Sequence, residues 1–214
     1  MTVLTARDAY RLWAPSYAAE TAVSTLDDQL AGQMLKGLPQ VRLLDAGCGT
    51  GRRIAGIPGA VGVDASPEMV GDADPKLLVA DVRALPFADG RFDMVWCRLV
   101  LGHLQNPAVA YGELARVCAP GGHVFVTDFH ADAAGSGSTR SFRDAAGSVH
   151  AVEHYIHADH PALAATKGLR LVEARESGVG PAIRDFYLRA DRLARYERDL
   201  GMRLVSAFLY RKPE

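Results

Sequence analysis

Cysteine is scarce in this chain of 214 residues, which contains only three, at positions 48, 97 and 118. Their spacing does not pair them as metal ligands, which excludes a disulfide framework or a zinc-finger type of site as the organising feature of the fold. We expect three reduced thiols that behave as small buried apolar groups in a cytoplasmic protein.

The chain also lacks an excess of charge and long apolar runs. Lys+Arg number 24 and Asp+Glu 25, so the formal net charge of -1 provides no general attraction to nucleic acid or to an anionic membrane. No apolar run reaches the length of a membrane span, and no basic region precedes an apolar segment as in a secretory signal. We expect a single globular domain whose partner is a small organic molecule.

Glycine, by contrast, is plentiful, and three glycines lie close together in the sequence Leu-Leu-Asp-Ala-Gly-Cys-Gly-Thr-Gly-Arg at 43–52, the segment that best indicates a ligand site. The apolar run over 41–46 predicts a buried parallel strand, and the glycines at 47, 49 and 51 let the backbone turn close to a ligand. Residues 52–59 predict a first helix of about two turns. The G-x-G-x-G spacing differs from the dinucleotide pattern G-x-G-x-x-G, which disfavours an NAD-dependent oxidoreductase.

Further apolar runs alternate with helical patterns along the chain. Strands are predicted at 61–64, 77–81, 92–97, 122–128, 169–173 and 204–210, with an added strand within 148–155. Helices are predicted at 21–35, 67–71, 107–118, 161–167 and 183–200, and residues 135–138 predict a flexible tip. This alternation is typical of an α/β fold with a parallel sheet covered on both faces.

Four segments together resemble the class I S-adenosylmethionine-dependent methyltransferases, particularly the ubiquinone/menaquinone-biosynthesis-like type 11 branch. They are LLDAGCGTGR at 43–52, GVDASPEMV at 62–70, ADVRALPFADGRFDMVWC at 80–97 and LARVCAPGGHVFVTDF at 114–129. The resemblance implies a Rossmann-like, doubly wound, mostly parallel sheet of seven strands with an antiparallel last strand. It also implies an N-terminal helical lid over 1–38, a cofactor-binding core over 39–130 and substrate-side elements over 131–214.

The same resemblance implies S-adenosyl-L-methionine as the methyl donor, leaving as S-adenosyl-L-homocysteine, and assigns residues to it. The methionine part would lie beside Gly47, Cys48 and Gly49, with Asp45 near its ammonium group. The ribose and adenine would lie against Asp64, Ala65, Met69, Asp81 and Val82, while Cys97 and Arg98 would lie beside the sulfonium. Tyr17 belongs to an aromatic group with Tyr10 and Trp13 that resembles the lid; alternatively, these rings only fix the helix to the core.

Histidines are the candidates for acid–base chemistry, because an imidazole can remove a proton near neutral pH. His103 follows the fourth core strand and is the first candidate for a base, and His130 or His154 could also point into the substrate cavity. Alternatively, His103 bonds a loop backbone. His150, His154 and His157 would share a face and could bind a metal if they lay on a helix, but not if a strand runs there, and we assign no metal site.

The function expected from these features is methyl transfer to an oxygen, nitrogen or carbon atom of a small acceptor, with secondary metabolism as one setting. A noncatalytic cofactor-binding sensor or assembly protein is the alternative. We expect a monomer or homodimer.

Overall fold

Ten strands and eight α-helices make up the computed structural model, within the described residues 2–17, 20–72, 74–137 and 139–214. The strands are β1 (Thr2–Leu4), β2 (Leu43–Ala46), β3 (Val61–Asp64), β4 (Leu77–Val79), β5 (Phe92–Arg98), β6 (Cys118–Phe129), β7 (Ser141–Arg143), β8 (Val149–Val152), β9 (Arg170–Gly178) and β10 (Arg203–Arg211). The helices are α1 (Ala6–Trp13), α2 (Ala22–Met34), α3 (Pro67–Val70), α4 (Ala108–Val117), α5 (Ala131–Gly135), α6 (His160–Ala165), α7 (Arg184–Arg189) and α8 (Leu193–Asp199). Within these ranges no helix is long and apolar enough to cross a membrane.

Seven of the strands form the main sheet, in the order β4-β3-β2-β5-β6-β10-β9. The first five are parallel, whereas β10 runs antiparallel to both of its neighbours, β6 and β9. This confirms the expected mostly parallel sheet of seven strands with a reversed last strand. The parallel strands bring their carboxyl ends to one edge of the sheet, where ligands bind in folds of this type.

Alternate residues of the central strands enter two hydrophobic clusters, one on each face of the sheet. Leu43 of β2 lies in the cluster that includes α2, while Leu44 lies in the cluster with Tyr111 and Leu114 of α4. All four side chains are fully buried. Burial of each such side chain contributes about 1.5 to 3 kcal/mol, so an apolar run whose residues point to both faces stabilises the sheet and the helices that cover it.

A second sheet of three strands, in the order β1-β8-β7, was not expected from the sequence. The strand expected within 148–155 is present as β8, but it pairs with β1 in parallel and with β7 antiparallel instead of adding to the main sheet. Phe142 of β7 stacks on Trp13 of α1, with ring centroids 4.8 Å apart. The small sheet therefore holds α1 in place over the main sheet.

Two expected helices are wrong in detail. Residues 52–59 form consecutive turns instead of a helix, and Gly59 adopts a φ of 74°. The single helix expected over 183–200 is split into α7 and α8, because Asp191 between them has a φ of 54°, which an α-helix does not accommodate. Of the tip expected over 135–138, Gly135 ends α5 and Ser138 lies outside the described residues.

Candidate functional site

A cavity of about 620 Å³ lies at the carboxyl ends of β2 to β5, beneath α1. Its volume falls within the usual range for small-molecule sites. Ten of the residues expected at the site line it: Tyr17, Gly47, Gly49, Asp64, Ala65, Met69, Asp81, Val82, Arg98 and His103. These ten are about a third of the residues that line the cavity.

The glycine loop forms one wall of the cavity and requires glycine at positions 47 and 49. Their φ angles are 86° and 58°, which favour glycine. A Cβ on Gly47 would lie 2.1 Å from Cγ2 of Val100, and one on Gly49 would lie 3.1 Å from Cε of Met69. Side chains here would fill the space between the loop and the opposite wall, so the glycines keep the cavity open.

Asp64, at the end of β3, is held in a fixed orientation by the backbone. Its Oδ2 accepts the Gly49 N–H at 2.8 Å and its Oδ1 accepts the Ser66 N–H at 2.9 Å. Burial raises the pKa of Asp64, while these backbone hydrogen bonds lower it. Each carboxylate oxygen retains acceptor capacity for a hydroxyl group in the cavity.

Asp81 lies beyond β4 at the same edge and is paired with Arg83. The two side chains form an ion pair at 2.6 Å, and Asp81 Oδ1 also accepts the Arg83 N–H at 2.8 Å. Hydrogen bonding to Arg83 keeps the pKa of Asp81 below its usual value. The carboxylate is therefore ionised and can accept an amino group.

Asp45 lies behind the glycine loop, fully buried on β2 and outside the cavity lining. Within the described part of the chain, neither of its carboxylate oxygens has a hydrogen-bond partner. Burial raises the pKa of Asp45 to about 6, although the charges of Arg53 and Arg98 oppose this rise. A buried carboxyl without partners is unusual and fits a group that receives a donor from a ligand or an ordered water.

A buried acid–arginine cluster connects α2 to this edge of the sheet, and the sequence analysis missed it. Asp27 accepts hydrogen bonds from Arg53, Arg98 and Thr127 at 2.8, 2.8 and 2.7 Å. Arg98 also pairs with Asp28 at 2.6 Å. The only sequence signal was the acidic pair in an otherwise uncharged helix. The cluster fixes the guanidinium groups of Arg53 and Arg98 along the cavity wall.

Two expected cofactor residues have their side chains in the core instead of the cavity. Cys48 and Cys97 are both buried in the hydrophobic clusters. Sγ of Cys48 packs so close to Gly62 that a Cβ there would lie 2.7 Å from it. Burial raises the pKa of both thiols. At these two positions, only the backbone is available for a ligand.

His103 is the histidine that reaches the cavity. Its Nδ1 lies 3.2 Å from the carbonyl oxygen of Glu153, so in the neutral ring Nδ1–H donates to that carbonyl. Its Nε2 then carries the lone pair, which accepts from the Tyr10 hydroxyl at 2.9 Å and from Arg140 at 3.2 Å. Burial, aided by the charge of Arg140, lowers the pKa of His103 to about 3. The site therefore holds a neutral imidazole whose acceptor nitrogen faces the cavity.

His154 lies directly behind His103, outside the cavity lining. The two ring centroids are 5.4 Å apart, and His154 Nε2 lies 3.5 Å from the buried Asp128. Burial lowers the pKa of His154 to about 4, despite the nearby carboxylate. A Cβ on Gly102 would lie 2.0 Å from this ring, so the turn that carries His103 packs tightly on His154.

The remaining expected histidines are not brought to the cavity. His130 caps α5, with Nδ1 accepting the Asp132 N–H at 3.0 Å, and its Nε2 pairs with Glu176 at 3.1 Å. His150 lies on β8 and pairs with Asp144. Because a strand occupies this segment, His150, His154 and His157 do not share a helix face. Among the described residues, no group of three or more His, Cys, Asp or Glu side chains has metal-binding geometry.

Aromatic side chains from the first helical segment cover the cavity. Tyr10, Trp13 and Tyr17 all line it. Tyr10 stacks on Trp13 with centroids 5.9 Å apart, and Trp13 meets Tyr17 edge to face at 5.0 Å. Since Trp13 also stacks on Phe142 of the small sheet, this group of rings both fixes α1 and shapes the site.

Comparison with known proteins shows what the segment that carries most of this site is similar to. Residues 44–126 match the family model described as a methyltransferase domain. The chain is 40% identical over 115 residues to a malonyl-[acyl-carrier protein] O-methyltransferase of Herminiimonas arsenicoxydans, covering 48% of this chain and 44% of that one. It is 38% identical over 103 residues to a demethylmenaquinone methyltransferase of Thermus thermophilus, covering 41% and 47%.

A solved structure shows the same fold over most of the chain. The S-adenosylmethionine dependent methyltransferase from Mesorhizobium loti superposes with a TM-score of 0.61 at 20% identity, over 87% of this chain and 99% of that one. The two curated relatives above are matched over less than half of their length. The matched segment contains the glycine loop, Asp64 and Asp81, so the part of the chain that forms this wall of the cavity is similar to a methyltransferase domain.

Proposed function

We propose that this protein transfers a methyl group from S-adenosyl-L-methionine to an oxygen atom of a small organic acceptor. One observation carries the proposal: the open glycine loop, Asp64, Asp81 and the neutral ring of His103 all face one cavity. The loop and the two carboxylates support binding of the donor, and His103 supports removal of a proton from the acceptor.

The residues present fit the donor. Gly47 and Gly49 leave a space that a Cβ would fill. Asp45, whose carboxylate oxygens have no partner among the described residues, lies behind this space and would accept from an ammonium group or a bridging water. Asp64 would accept the ribose hydroxyls, and Asp81 the adenine amino group. When bound, the donor supplies an electrophilic methyl carbon on a sulfonium, which departs as a neutral thioether after the carbon–sulfur bond breaks with its electron pair on sulfur.

The chain's own residues would position the acceptor and accept its proton. His103 remains neutral above pH about 3, so Nε2 is an acceptor at physiological pH, where Tyr10 and Arg140 donate to it. The acceptor hydroxyl would replace both the Tyr10 hydroxyl and the Arg140 N–H on Nε2, and it would give its proton to that nitrogen as the oxygen–carbon bond forms. The Nδ1–H bond to Glu153 keeps Nε2 aimed at the cavity throughout. The aromatic side chains of the lid would exclude water and orient the acceptor.

The size of the cavity supports a small acceptor, because a volume of about 620 Å³ fits a small organic molecule. The relatives are named for different acceptors on the same type of domain, and one of these acceptors is carried on a protein. Family and cofactor site alone therefore do not specify the acceptor. We propose residues 1–38 as the lid that selects it.

Calorimetry with S-adenosylhomocysteine tests the donor site. Asp64→Asn should weaken binding about tenfold or more, because the amide provides one acceptor oxygen instead of two and carries no charge. Asp185→Asn, on the exposed start of α7, is the matched control and should bind like the wild type. Equal affinity of the Asp64 variant and the wild type would exclude this role for Asp64.

Transfer of a labelled methyl group tests the reaction. His103→Gln should reduce transfer to hydroxyl acceptors about 100-fold or more while leaving the affinity for S-adenosylhomocysteine unchanged, since general-base catalysis contributes roughly two to four orders of magnitude. Binding of the donor by the wild type without transfer to any acceptor would favour the noncatalytic alternative.

A further inference from the structure

We propose, on the basis of the function above, that the acceptor is an aromatic hydroxy acid whose hydroxyl and carboxylate lie on neighbouring carbons, and that Arg140 binds the carboxylate. The proposal rests on the charges that line the cavity and on where they are already paired.

Most of the arginines along the cavity wall have a carboxylate partner within the protein. Six arginines line it: Arg7, Arg52, Arg53, Arg83, Arg98 and Arg140. Arg52, Arg53 and Arg98 pair with the acids of α2, and Arg83 pairs with Asp81. Arg7 is exposed to solvent. Arg140 is half-buried and has no carboxylate within ion-pair distance among the residues that the structure describes.

The guanidinium of Arg140 is positioned by one of its nitrogens, which leaves the others available. Nη1 donates to the carbonyl oxygen of Leu99 at 3.1 Å and to His103 Nε2 at 3.2 Å. Within the described residues, Nε and Nη2 have no hydrogen-bond partner. Such a fixed planar fork matches the two oxygens of a carboxylate.

The distance between Arg140 and His103 constrains the acceptor. Because Nη1 of the same guanidinium lies 3.2 Å from the nitrogen proposed to take the proton, a carboxylate on Arg140 and a hydroxyl on His103 Nε2 would belong to the same end of the acceptor. Neighbouring carbons satisfy this requirement. The rings of Tyr10, Trp13 and Tyr17 supply flat apolar surface for the body of the molecule, which favours an aromatic acceptor.

Such an acceptor would also make His103 a stronger base. The positive charge of Arg140 is one cause of the low pKa of His103, after burial. A carboxylate on Arg140 would offset that charge, so the imidazole would bind a proton more readily when the acceptor is present. Glu153 also lines the cavity but is exposed, with its carbonyl oxygen engaged by His103.

Calorimetry with three probes tests the proposal: 2-hydroxybenzoate, 4-hydroxybenzoate and the neutral 2-hydroxybenzamide. Each is titrated into protein with and without S-adenosylhomocysteine. The wild type should bind 2-hydroxybenzoate about tenfold more tightly than either other probe, and Arg140→Gln should remove that preference. Arg143→Gln, three residues along on the outer side of β7, is the matched control and should retain it.

Any of three results would overturn the proposal: 2-hydroxybenzoate does not bind, it binds no more tightly than the amide, or the two arginine variants have equal effects. Thermal melting checks that Arg140→Gln is folded. Arg140→Lys provides a second test, because it keeps the charge but loses the fork, and it should retain part of the preference. Failure of the proposed function would appear separately, as loss of S-adenosylhomocysteine binding or of methyl transfer to neutral phenols.

Discussion

Substitution of Gly47 by alanine tests whether the glycine loop is shaped by steric contact with the opposite cavity wall. Two effects act on the variant. The residue keeps a φ near 86°, which destabilises a non-glycine residue by about 1 to 2 kcal/mol. The new methyl group also lies 2.1 Å from Cγ2 of Val100, and overpacking of this kind destabilises by about 1 to 3 kcal/mol. We expect a total loss of about 2 to 5 kcal/mol from the free energy of unfolding.

Gly37 provides the control, because its φ of 82° is nearly the same but a Cβ there meets nothing within 4 Å. Gly37→Ala should therefore lose only the backbone part, about 1 to 2 kcal/mol. Urea denaturation measures both losses, and calorimetry with S-adenosylhomocysteine should show weaker binding, by about tenfold or more, for the Gly47 variant alone.

A double-mutant cycle with Val100→Ala separates the two effects. Removing the valine methyl groups should recover about 1 to 3 kcal/mol in the Gly47→Ala background while leaving the backbone part unchanged. The reasoning would be refuted if Gly47→Ala and Gly37→Ala lost the same stability and bound the ligand equally well.

Two further predictions concern stability. Asp27→Asn should destabilise the fold by about 3 kcal/mol, because Arg98 and Arg53 would lose part of their buried partner. Urea denaturation measures this loss against the exposed control Asp8→Asn, and equal losses in the two variants would contradict the prediction. The pKa values of His103 and His154 in the folded protein are lowered to about 3 and about 4. Below about pH 6.5 the unfolded chain therefore binds more protons at these histidines than the folded protein does. Stability should therefore fall as the pH is lowered from 7 to 5, by about 2 kcal/mol for His154, and His154→Gln should show a correspondingly smaller decrease.

The sequence predicted the central sheet because its signals are local. Buried parallel strands appear as short apolar runs, and the turn after each run carries glycine or an acid. Because the strands are parallel, residues that follow them reach the same edge, and Asp64 and Asp81 consequently line one cavity.

Elements that depend on distant contacts could not be predicted. The strand β1 pairs with β8, although the strands β2 to β7 lie between them in the sequence. Each of the two strands is also too short to give a clear pattern by itself. The break between α7 and α8 depends on the positive φ of Asp191. The sequence does not indicate this φ, because the residue is not a glycine.

The sequence by itself determined the sheet, the glycine loop and the acids at its edge, since alternation, glycine spacing and strand polarity are properties of neighbouring residues. Only the tertiary structure decided which charged groups remain available. His103 and His130 both follow core strands, but packing sends one to the cavity and the other to Glu176. Arg98 and Arg140 are chemically identical side chains, and only folding pairs the first with Asp27 and leaves the second facing the cavity without a carboxylate among the described residues.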